Sequence, residues 1–213
     1  MWVSELWRYP VKSMAGEPMH TVLLREDGVE GDRFLHVRDA HGRVVTSRSR
    51  PRLLGLHALL DPDGEPRVED RPWTDPWVSR AVEAAAGDGA HLVRSGGVER
   101  FDILPLLVAT DGAITAFGHD RRRLRPNIVI GGVPGLGERA WEGRSLRAGA
   151  TVIGIRDLRQ RCIMTTFDPD TLEQDVGVLK GIHQRFGGRL ALNAHVVRGG
   201  SLSVGDPVEL IED

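Results

Sequence analysis

Turn-forming residues interrupt the first part of this chain so often that only short strands fit between them. Turns are predicted at residues 26–28, 39–42 and 61–64, and the segments between them are rich in aliphatic and β-branched residues. Many short strands at this spacing are typical of a small sandwich or barrel. We therefore predict a mixed α/β chain that is mainly β, with short helices and a strand-rich N-terminal lobe.

Apolar patterning locates the elements of this lobe. Strands are predicted over 2–9, 19–24, 34–37 and 43–46, the strand pattern continues over 53–60, and a short helix is predicted over 78–86. Glycine-rich stretches at 87–89 and 95–97 have the composition of a linker. We therefore predict two domains, residues 1–88 and residues 89–213, with a functional pocket that draws on both.

The second domain is predicted to combine strands with short helices. Strands are predicted over 105–109, 127–130, 151–155, 193–197 and 201–211, and the polar residues 156–161 are expected to lead away from the sheet. Helices are predicted from a cap at Thr110 or Asp111 through Phe117, over 121–124, and over 176–186.

Composition excludes several classes of protein. No run reaches the roughly 18 apolar residues of a membrane helix, and the first residues lack the features of a signal peptide, so we expect a cytoplasmic protein without membrane contact. The single cysteine excludes an internal disulfide, a cysteine-rich zinc site and a self-contained iron–sulfur cluster. The net charge of −2 gives no indication of nucleic-acid binding, and the arginine run at 121–123 is expected to be a solvated helix face.

That one cysteine, Cys162, follows a predicted strand and is flanked by arginines. Arg159 and Arg161 would favour the thiolate, which is the form of cysteine that reacts and binds metals. The alternative is that Cys162 is a small buried hydrophobic residue, as free cysteines commonly are. Local sequence alone favours this alternative.

Other polar residues also lie at predicted strand ends or in loops. They are Lys12, Ser13, Arg33, Arg125, Asn127 and Arg161. If they converge, they would form one basic pocket for an anionic, extended ligand, with a single sulfur at one end. Asp168 and Asp170 are interpreted as turn formers rather than metal ligands, because residues 61–64 repeat the Asp-Pro-Asp tripeptide at a predicted turn. His195 is interpreted as structural.

Several short motifs, in order along nearly the whole chain, resemble those of the MOSC family, named for the C-terminal domain of molybdenum-cofactor sulfurases. They are RYPVKS at 8–13, GDR at 31–33, RPN at 125–127, RCIMTT at 161–166 with DPDT at 168–171, and a closing hairpin at 199–208. The resemblance implies a MOSC-type β-barrel with short helices, preceded by the N-terminal lobe. It also implies a ligand, the molybdenum cofactor, which is a pterin with a terminal phosphate and a dithiolene that holds molybdenum.

The resemblance further implies roles for individual residues. Cys162 would supply a thiolate to molybdenum, and Lys12, Arg33 and Arg125 would bind the phosphate or the pterin. Ser13, Asn127, Gln160 and Arg161 would hydrogen-bond the pterin or orient the site. Thr110 and Asp111 lie where the family brings a helix start to the cofactor, although the carboxylate of Asp111 would repel a phosphate.

Members of the family that this sequence resembles include mitochondrial amidoxime-reducing components and bacterial proteins that reduce N-hydroxylated bases. By analogy, the chain would be a molybdenum-dependent reductase of small N-hydroxylated compounds. It shows no fused ferredoxin-like domain, so its electrons would come from a separate reductase or ferredoxin. A carrier of the cofactor or of sulfur as a persulfide, without turnover, is the alternative, and a non-catalytic binding module is a third. Pyridoxal phosphate binding is associated with the family only.

Overall fold

The structure is a computed structural model that describes residues 1–212, with Val98 by its backbone alone. Its strands are β1 Trp2–Arg8, β2 Glu17–Met19, β3 Thr21–Arg25, β4 Gly28–Val29, β5 Leu35–Arg38, β6 Val44–Val45, β7 Ala58–Leu60, β8 Pro66–Val68, β9 Arg71–Pro72, β10 His91–Arg94, β11 Leu106–Thr110, β12 Ile128–Gly131, β13 Ser145–Ala148, β14 Thr151–Gln160, β15 Arg189–Arg198, β16 Gly200–Ser203 and β17 Glu209–Ile211. Its α-helices are α1 Pro76–Ala86, α2 Asp111–Phe117 and α3 Val176–Phe186. Short 3₁₀ helices cover Pro51–Gly55, Val98–Arg100, Arg121–Arg123, Gly137–Ala140 and Ile163–Thr166. The predicted fold class, mixed and mainly β, is confirmed.

An eight-stranded sheet organises the C-terminal part of the chain, in the order β17-β13-β14-β15-β11-β12-β1-β2. The pair β11 and β12 is parallel, and the other described pairs in the sheet are antiparallel. Its core contains Val3, Leu6, Val108, Ile128 and Leu192, each at most 1% exposed. The first strand of the chain thus lies in the sheet of the second predicted domain.

Loop contacts, rather than a strand ladder, join β1 to the segment before β17. The backbone N–H of Val3 donates to the carbonyl of Asp206 at 2.9 Å, and that of Gly205 donates to Val3 at 2.8 Å. Pro207 forms an isolated bridge to Trp2 but has no N–H with which to extend it. Among the described residues, the predicted barrel is therefore not closed by hydrogen-bonded strands.

The N-terminal lobe contains two small sheets, β10-β5-β6 and β7-β8-β9, with α1 packed beside them. Leu35, Leu53, Val78 and Val82 are fully buried in its own apolar core. Strand β10 pairs with β5, so residues beyond position 88 also pack into this lobe. The boundary between residues 88 and 89 stays a prediction.

Side-chain caps are present at the starts of α2 and α3. The hydroxyl of Thr110 accepts from the N–H of Ala113 at 3.1 Å at the start of α2. A carboxylate oxygen of Asp175 accepts from the N–H of Gly177 at 2.8 Å at the start of α3, which ends at a left-handed Gly187. No helix in the described part of the chain is both long and apolar enough to cross a bilayer.

Three predicted segments differ from the structure. A 3₁₀ helix at Pro51–Gly55 precedes β7 where a strand was predicted, because Pro51 fixes its own φ and Leu53 bonds back to Arg50. Residues 156–160 stay in the sheet, because β14 continues its pairing with β15. The predicted strand over 201–211 is two strands, because a turn before Pro207 separates β16 from β17.

Candidate functional site

The structure brings most of the predicted site residues into one cavity between the N-terminal lobe and the large sheet. We call this cavity the basic pocket. It encloses about 750 Å³ of space, part of it open to solvent. The predicted residues that line it are Lys12, Ser13, Arg33, Arg125, Asn127, Gln160, Arg161 and Cys162.

Three of these residues, Ser13, Arg33 and Arg125, have left-handed backbone conformations, with φ of 75°, 53° and 58°. This conformation costs a residue with a side chain roughly 1–2 kcal/mol, so surrounding contacts must hold it in place. The N–H of Arg33 donates to the carbonyl of Tyr9 at 2.7 Å, and the N–H of Lys12, next to Ser13, donates to Leu35 at 2.8 Å. The fold therefore holds these strained backbone conformations, which place the three side chains in the lining of the basic pocket.

Two guanidinium groups stack on the ring of Tyr9. The guanidinium carbon lies 4.3 Å from the ring centroid for Arg125 and 5.4 Å for Arg33. Burial raises the pKa of Tyr9 to about 12, and its hydroxyl donates to the carbonyl of Pro126 at 3.2 Å. Arg33 is neutralised by an ion pair with the fully buried Asp32.

Arg125 has no such counter-ion. Among the described residues, none accepts a hydrogen bond from its guanidinium. Burial lowers the pKa of Arg125 to about 10, and the positive charge of Arg33 adds to this effect. The group is still protonated at neutral pH, so Arg125 places a cation without an acceptor in the wall of the basic pocket.

Arg161 is a second incompletely paired cation. One Nη donates to the carbonyl of Leu124 at 2.8 Å, whereas the buried Nε has no partner among the described residues. Burial lowers the pKa of Arg161 to about 10, and the neighbouring charge of Arg159 contributes. A buried donor without an acceptor is costly, so the Nε of Arg161 suits a ligand that brings acceptor atoms. The half-buried guanidinium of Arg125 faces the same cavity and is available to the same ligand.

Asp102 was missed by the sequence analysis and is the anionic centre of the pocket. Its carboxylate lies 3.1 Å from Nζ of Lys12, 2.6 Å from an Nη of Arg48 and 3.5 Å from an Nη of Arg159. Burial acts to raise the pKa of Asp102, but the charges of Lys12, Arg48 and Arg159 outweigh it and lower the pKa. No local pattern reveals this role, because the three cations come from distant segments.

Cys162 follows the last residues of β14 and is half-buried. Its carbonyl accepts from the N–H of Thr165 at 3.1 Å and from the hydroxyl of Thr165 at 2.9 Å, which fixes its backbone. Its thiol is free and lines the basic pocket. This differs from the fully buried hydrophobic residue that was the alternative prediction.

Asn127 and Gln160 contribute to the pocket in different ways. The fully buried Asn127 accepts from the N–H of Leu107 at 3.2 Å and donates to the carbonyl of Trp7 at 3.4 Å, so it ties β1 and β11 together at the entrance of β12. Gln160 is exposed at the end of β14. Asn127 therefore shapes the wall, whereas the side chain of Gln160 is exposed to solvent.

Thr110 and Asp111 do not belong to the lining of the basic pocket. Besides capping α2, the hydroxyl of Thr110 donates to Glu138 at 3.2 Å. The carboxylate of Asp111 accepts from the N–H groups of Gly132 and Val133, at 2.7 Å and 3.0 Å. Asp111 thus holds the turn after β12, and Thr110 contacts the 3₁₀ helix at Gly137–Ala140. The predicted role of both residues in ligand binding stays a prediction.

The remaining charged motifs are engaged in ion pairs. Asp168 accepts from the backbone N–H of Asp170 and of Thr171, as expected of a turn former, and also pairs with Arg123 at 2.9 Å. Arg122 pairs with Asp170 at 2.7 Å. The arginine run is therefore half-buried and paired rather than a solvated face, and His195 is exposed on β15.

Two family patterns match this sequence. That of the MOSC N-terminal beta barrel domain matches residues 1–88, and that of the MOSC domain matches residues 113–209. The YUAD protein from Bacillus subtilis, a solved structure, covers the whole of both chains with a TM-score of 0.51 at 14% identity. This last likeness concerns the fold alone.

Two relatives are similar to this sequence over nearly the whole chain. The mitochondrial amidoxime reducing component 2 of Macaca fascicularis is 26% identical in an alignment that covers 97% of this chain and 82% of that protein. The mitochondrial amidoxime-reducing component 1 of Homo sapiens is 23% identical in an alignment that covers 98% of this chain and 82% of that protein. The chain belongs to the MOSC-domain proteins, with a MOSC N-terminal domain followed by a MOSC domain.

Proposed function

We propose that this chain binds the molybdenum cofactor in the basic pocket and reduces small N-hydroxylated compounds, with electrons from a separate donor protein. The observation that carries the proposal is that a free, half-buried thiol shares one cavity with two incompletely paired arginines, Arg125 and Arg161. The names of the relatives, amidoxime-reducing components, support the class of substrate.

The residues present fit the chemistry of this cofactor. A soft thiolate suits molybdenum, and Cys162 is the one cysteine in the sequence. Among the residues that the structure describes, neither the buried Nε of Arg161 nor the guanidinium of Arg125 has an acceptor, and a pterin and a phosphate both bring acceptor atoms. Lys12, whose ammonium is paired with Asp102, would exchange this carboxylate for a ligand oxygen.

Each part of the pocket then has a distinct task. Cys162 would hold the metal, and Lys12, Arg33 and Arg125 would bind the phosphate or the pterin. Ser13, Gln160 and Arg161 would hydrogen-bond the pterin. Asn127 would hold β1 and β11 in place through its hydrogen bonds to the backbone of Trp7 and Leu107. When bound, the molybdenum centre supplies the two-electron removal of oxygen from an N–OH group. An iron–sulfur cluster takes about four cysteine ligands, and this sequence has one cysteine. The electrons would therefore come from a separate reductase or ferredoxin.

The deciding measurement is molybdenum and pterin content after expression with active cofactor synthesis. We expect near-stoichiometric metal and pterin in the wild type, and loss or lability of the metal in Cys162→Ser. His195→Ala, an exposed change on β15, is the matched control and should keep both components. Absence of both components from the wild type would contradict the proposal.

Activity separates an enzyme from a carrier. The loaded wild type should convert benzamidoxime to benzamidine with a chemical or enzymatic donor, and Cys162→Ala should not. A carrier of the cofactor is the second candidate, because the same free thiol and cations could hold the ligand for delivery. Stoichiometric cofactor without turnover under every donor would support the carrier.

A further inference from the structure

The connection between β10 and β11 forms part of the wall of the basic pocket. We call residues 96–104 of this connection the strap. Its start is fixed on the N-terminal lobe, where the N–H of Ser95 donates to the carbonyl of Phe34 at 2.7 Å. Its end is fixed near Leu106, the first residue of β11, which is 1% exposed. The strap residues that line the pocket are Phe101, Asp102, Ile103 and Leu104.

Apolar packing does not hold the strap in place. Of its residues whose side chains the structure describes, none is buried, and Ile103 is 44% exposed. The ring of Phe101 lies between two guanidinium groups, with its centroid 4.8 Å from the guanidinium carbon of Arg100 and 5.7 Å from that of Arg33. A segment with few buried apolar contacts opens more easily than the core. The position of the strap therefore depends on its polar contacts.

Polar contacts fasten the strap to the N-terminal lobe. The Nε and one Nη of Arg100 donate to the carbonyl of Asp32 at 2.9 Å and 2.8 Å, and its other Nη pairs with Asp27. The carboxylate of Glu99 lies 3.2 Å from an Nη of Arg38. Arg100 makes the largest number of these contacts and is the main anchor of the strap.

Lys12 is the residue for which the strap and an anionic ligand compete. Its Nζ donates to the carbonyl of Glu99 at 2.6 Å and lies 3.1 Å from the carboxylate of Asp102, so two residues of the strap share one ammonium. An ammonium has three N–H donors, so one remains for a ligand. A phosphate bound through this donor would lie against the carboxylate of Asp102, and like charges in contact repel each other.

We infer that the strap is a gate of the basic pocket, and that an anion which binds Lys12 displaces Glu99 and Asp102 and releases the strap. Gly96 and Gly97, at its start, leave the backbone there without restriction by side chains. The coupling is reciprocal, so a change that releases the strap strengthens anion binding. This inference goes beyond the proposed function, because it concerns any anion that binds Lys12, whichever molecule carries it.

The first test is trypsin cleavage of the cofactor-free full chain after Arg100, with inorganic phosphate as the anion. The side chain of Arg100 is 14% exposed, and trypsin must take it into its own binding pocket, so the closed strap protects this bond. We expect saturating phosphate to speed the appearance of fragments 1–100 and 101–213 by about threefold, relative to chloride at equal ionic strength. A short arginine peptide controls for effects of phosphate on trypsin itself.

The second test is the phosphate affinity of two variants, measured by calorimetry. Arg100→Gln removes the contacts to Asp32 and Asp27, and Phe101→Ala removes the ring between the two guanidinium groups. Both variants should bind phosphate about threefold more tightly than the wild type. The charge lost in Arg100→Gln would by itself weaken anion binding, so a gain in affinity there comes from release of the strap.

Arg94→Gln is the matched control, because it removes the same charge from a residue that pairs with Glu65 outside the strap. It should not gain affinity for phosphate, and circular dichroism checks the fold of each variant. Unchanged cleavage after Arg100 in saturating phosphate, or wild-type phosphate affinity in both folded variants, would overturn the inference. Both tests use neither molybdenum nor an N-hydroxylated substrate, so their failure is distinguishable from failure of the proposed function.

Discussion

The ammonium group of Lys12 lies 3.1 Å from the carboxylate of Asp102 inside the basic pocket, and Arg48 and Arg159 approach the same carboxylate. An acidic side chain therefore neutralises part of the positive charge that an anionic ligand would use. A phosphate that enters the pocket must compete with Asp102 for Lys12. The affinity of the pocket for anions thus depends on Asp102, although Asp102 does not itself bind the anion.

Replacement of this carboxylate should strengthen anion binding. In Asp102→Asn, Lys12, Arg48 and Arg159 lose their shared counter-ion, so we expect inorganic phosphate to bind several-fold more tightly in calorimetric titrations. Stability should fall by about 1 kcal/mol, because the pairs are only partly buried. Asp170→Asn removes an exposed carboxylate that pairs with Arg122 and serves as the control. Equal phosphate affinity in the wild type and Asp102→Asn would contradict the competition.

Asp102 should also contribute to the acid dependence of stability. Its pKa is lowered in the folded protein, so the unfolded chain takes up its proton first as the pH falls. The stabilisation is complete above the unfolded pKa of about 3.9 and is lost as the pH falls through the folded value. Urea unfolding should therefore show the wild type more stable than Asp102→Asn at pH 6, with the difference shrinking towards pH 3. A constant difference would argue against this ionisation.

Tyr9 offers a direct optical test of the packing between the two arginines. It is the only tyrosine in the sequence, and burial raises its pKa from 10.0 to about 12. We expect the tyrosinate absorbance of the native protein to appear with a midpoint near 12, and that of the urea-unfolded chain near 10. Because the raised pKa favours the neutral form, this contribution to stability is complete below pH 10 and is lost between these two values. A native midpoint at the ordinary value would show that Tyr9 is not buried as described.

Asn127 and Gln160 should respond differently to truncation, although both were predicted to contact the cofactor. Asn127→Ala leaves the backbone groups of Leu107 and Trp7 without their side-chain partner in a buried place. We expect it to lower the free energy of unfolding by about 2 kcal/mol. Gln160→Ala, at an exposed position, should change it by less than about 0.5 kcal/mol. Chemical denaturation measures both, and similar small effects would disprove the wall-forming role of Asn127.

Asp111 and Arg125 provide a contrast between a residue that holds a turn and a residue proposed to bind the cofactor. Asp111→Ala removes the acceptor for the N–H groups of Gly132 and Val133 and should destabilise the fold by about 1–2 kcal/mol. Molybdenum content per folded molecule should stay near that of the wild type. Arg125→Ala should lose cofactor while retaining its fold. Loss of cofactor from folded Asp111→Ala would place Asp111 in the binding site after all.

Local features were predictable because nearby residues decide them. The caps at Thr110 and Asp175 and the glycine stop at Gly187 act within one helical turn, so the sequence patterns located α2 and α3 closely. The polar end of β14 was not predictable in this way. Residues 156–160 are strand because β15 supplies hydrogen-bond partners along that edge, and pairing with a distant strand does not depend on local polarity.

By itself, the sequence determined the mainly β class, the boundaries of α2 and α3, the single thiol and the set of cations available to a pocket. Only the tertiary structure decided which charges meet. It brings Lys12, Arg48 and Arg159 to Asp102 and stacks Arg125 on Tyr9 with no acceptor among the described residues. It also bonds Thr110 to Glu138, and Asp111 to the turn after β12. The physical reason is that hydrogen bonds and ion pairs act over a few ångströms in space, and the chain brings distant segments within that range only when it folds.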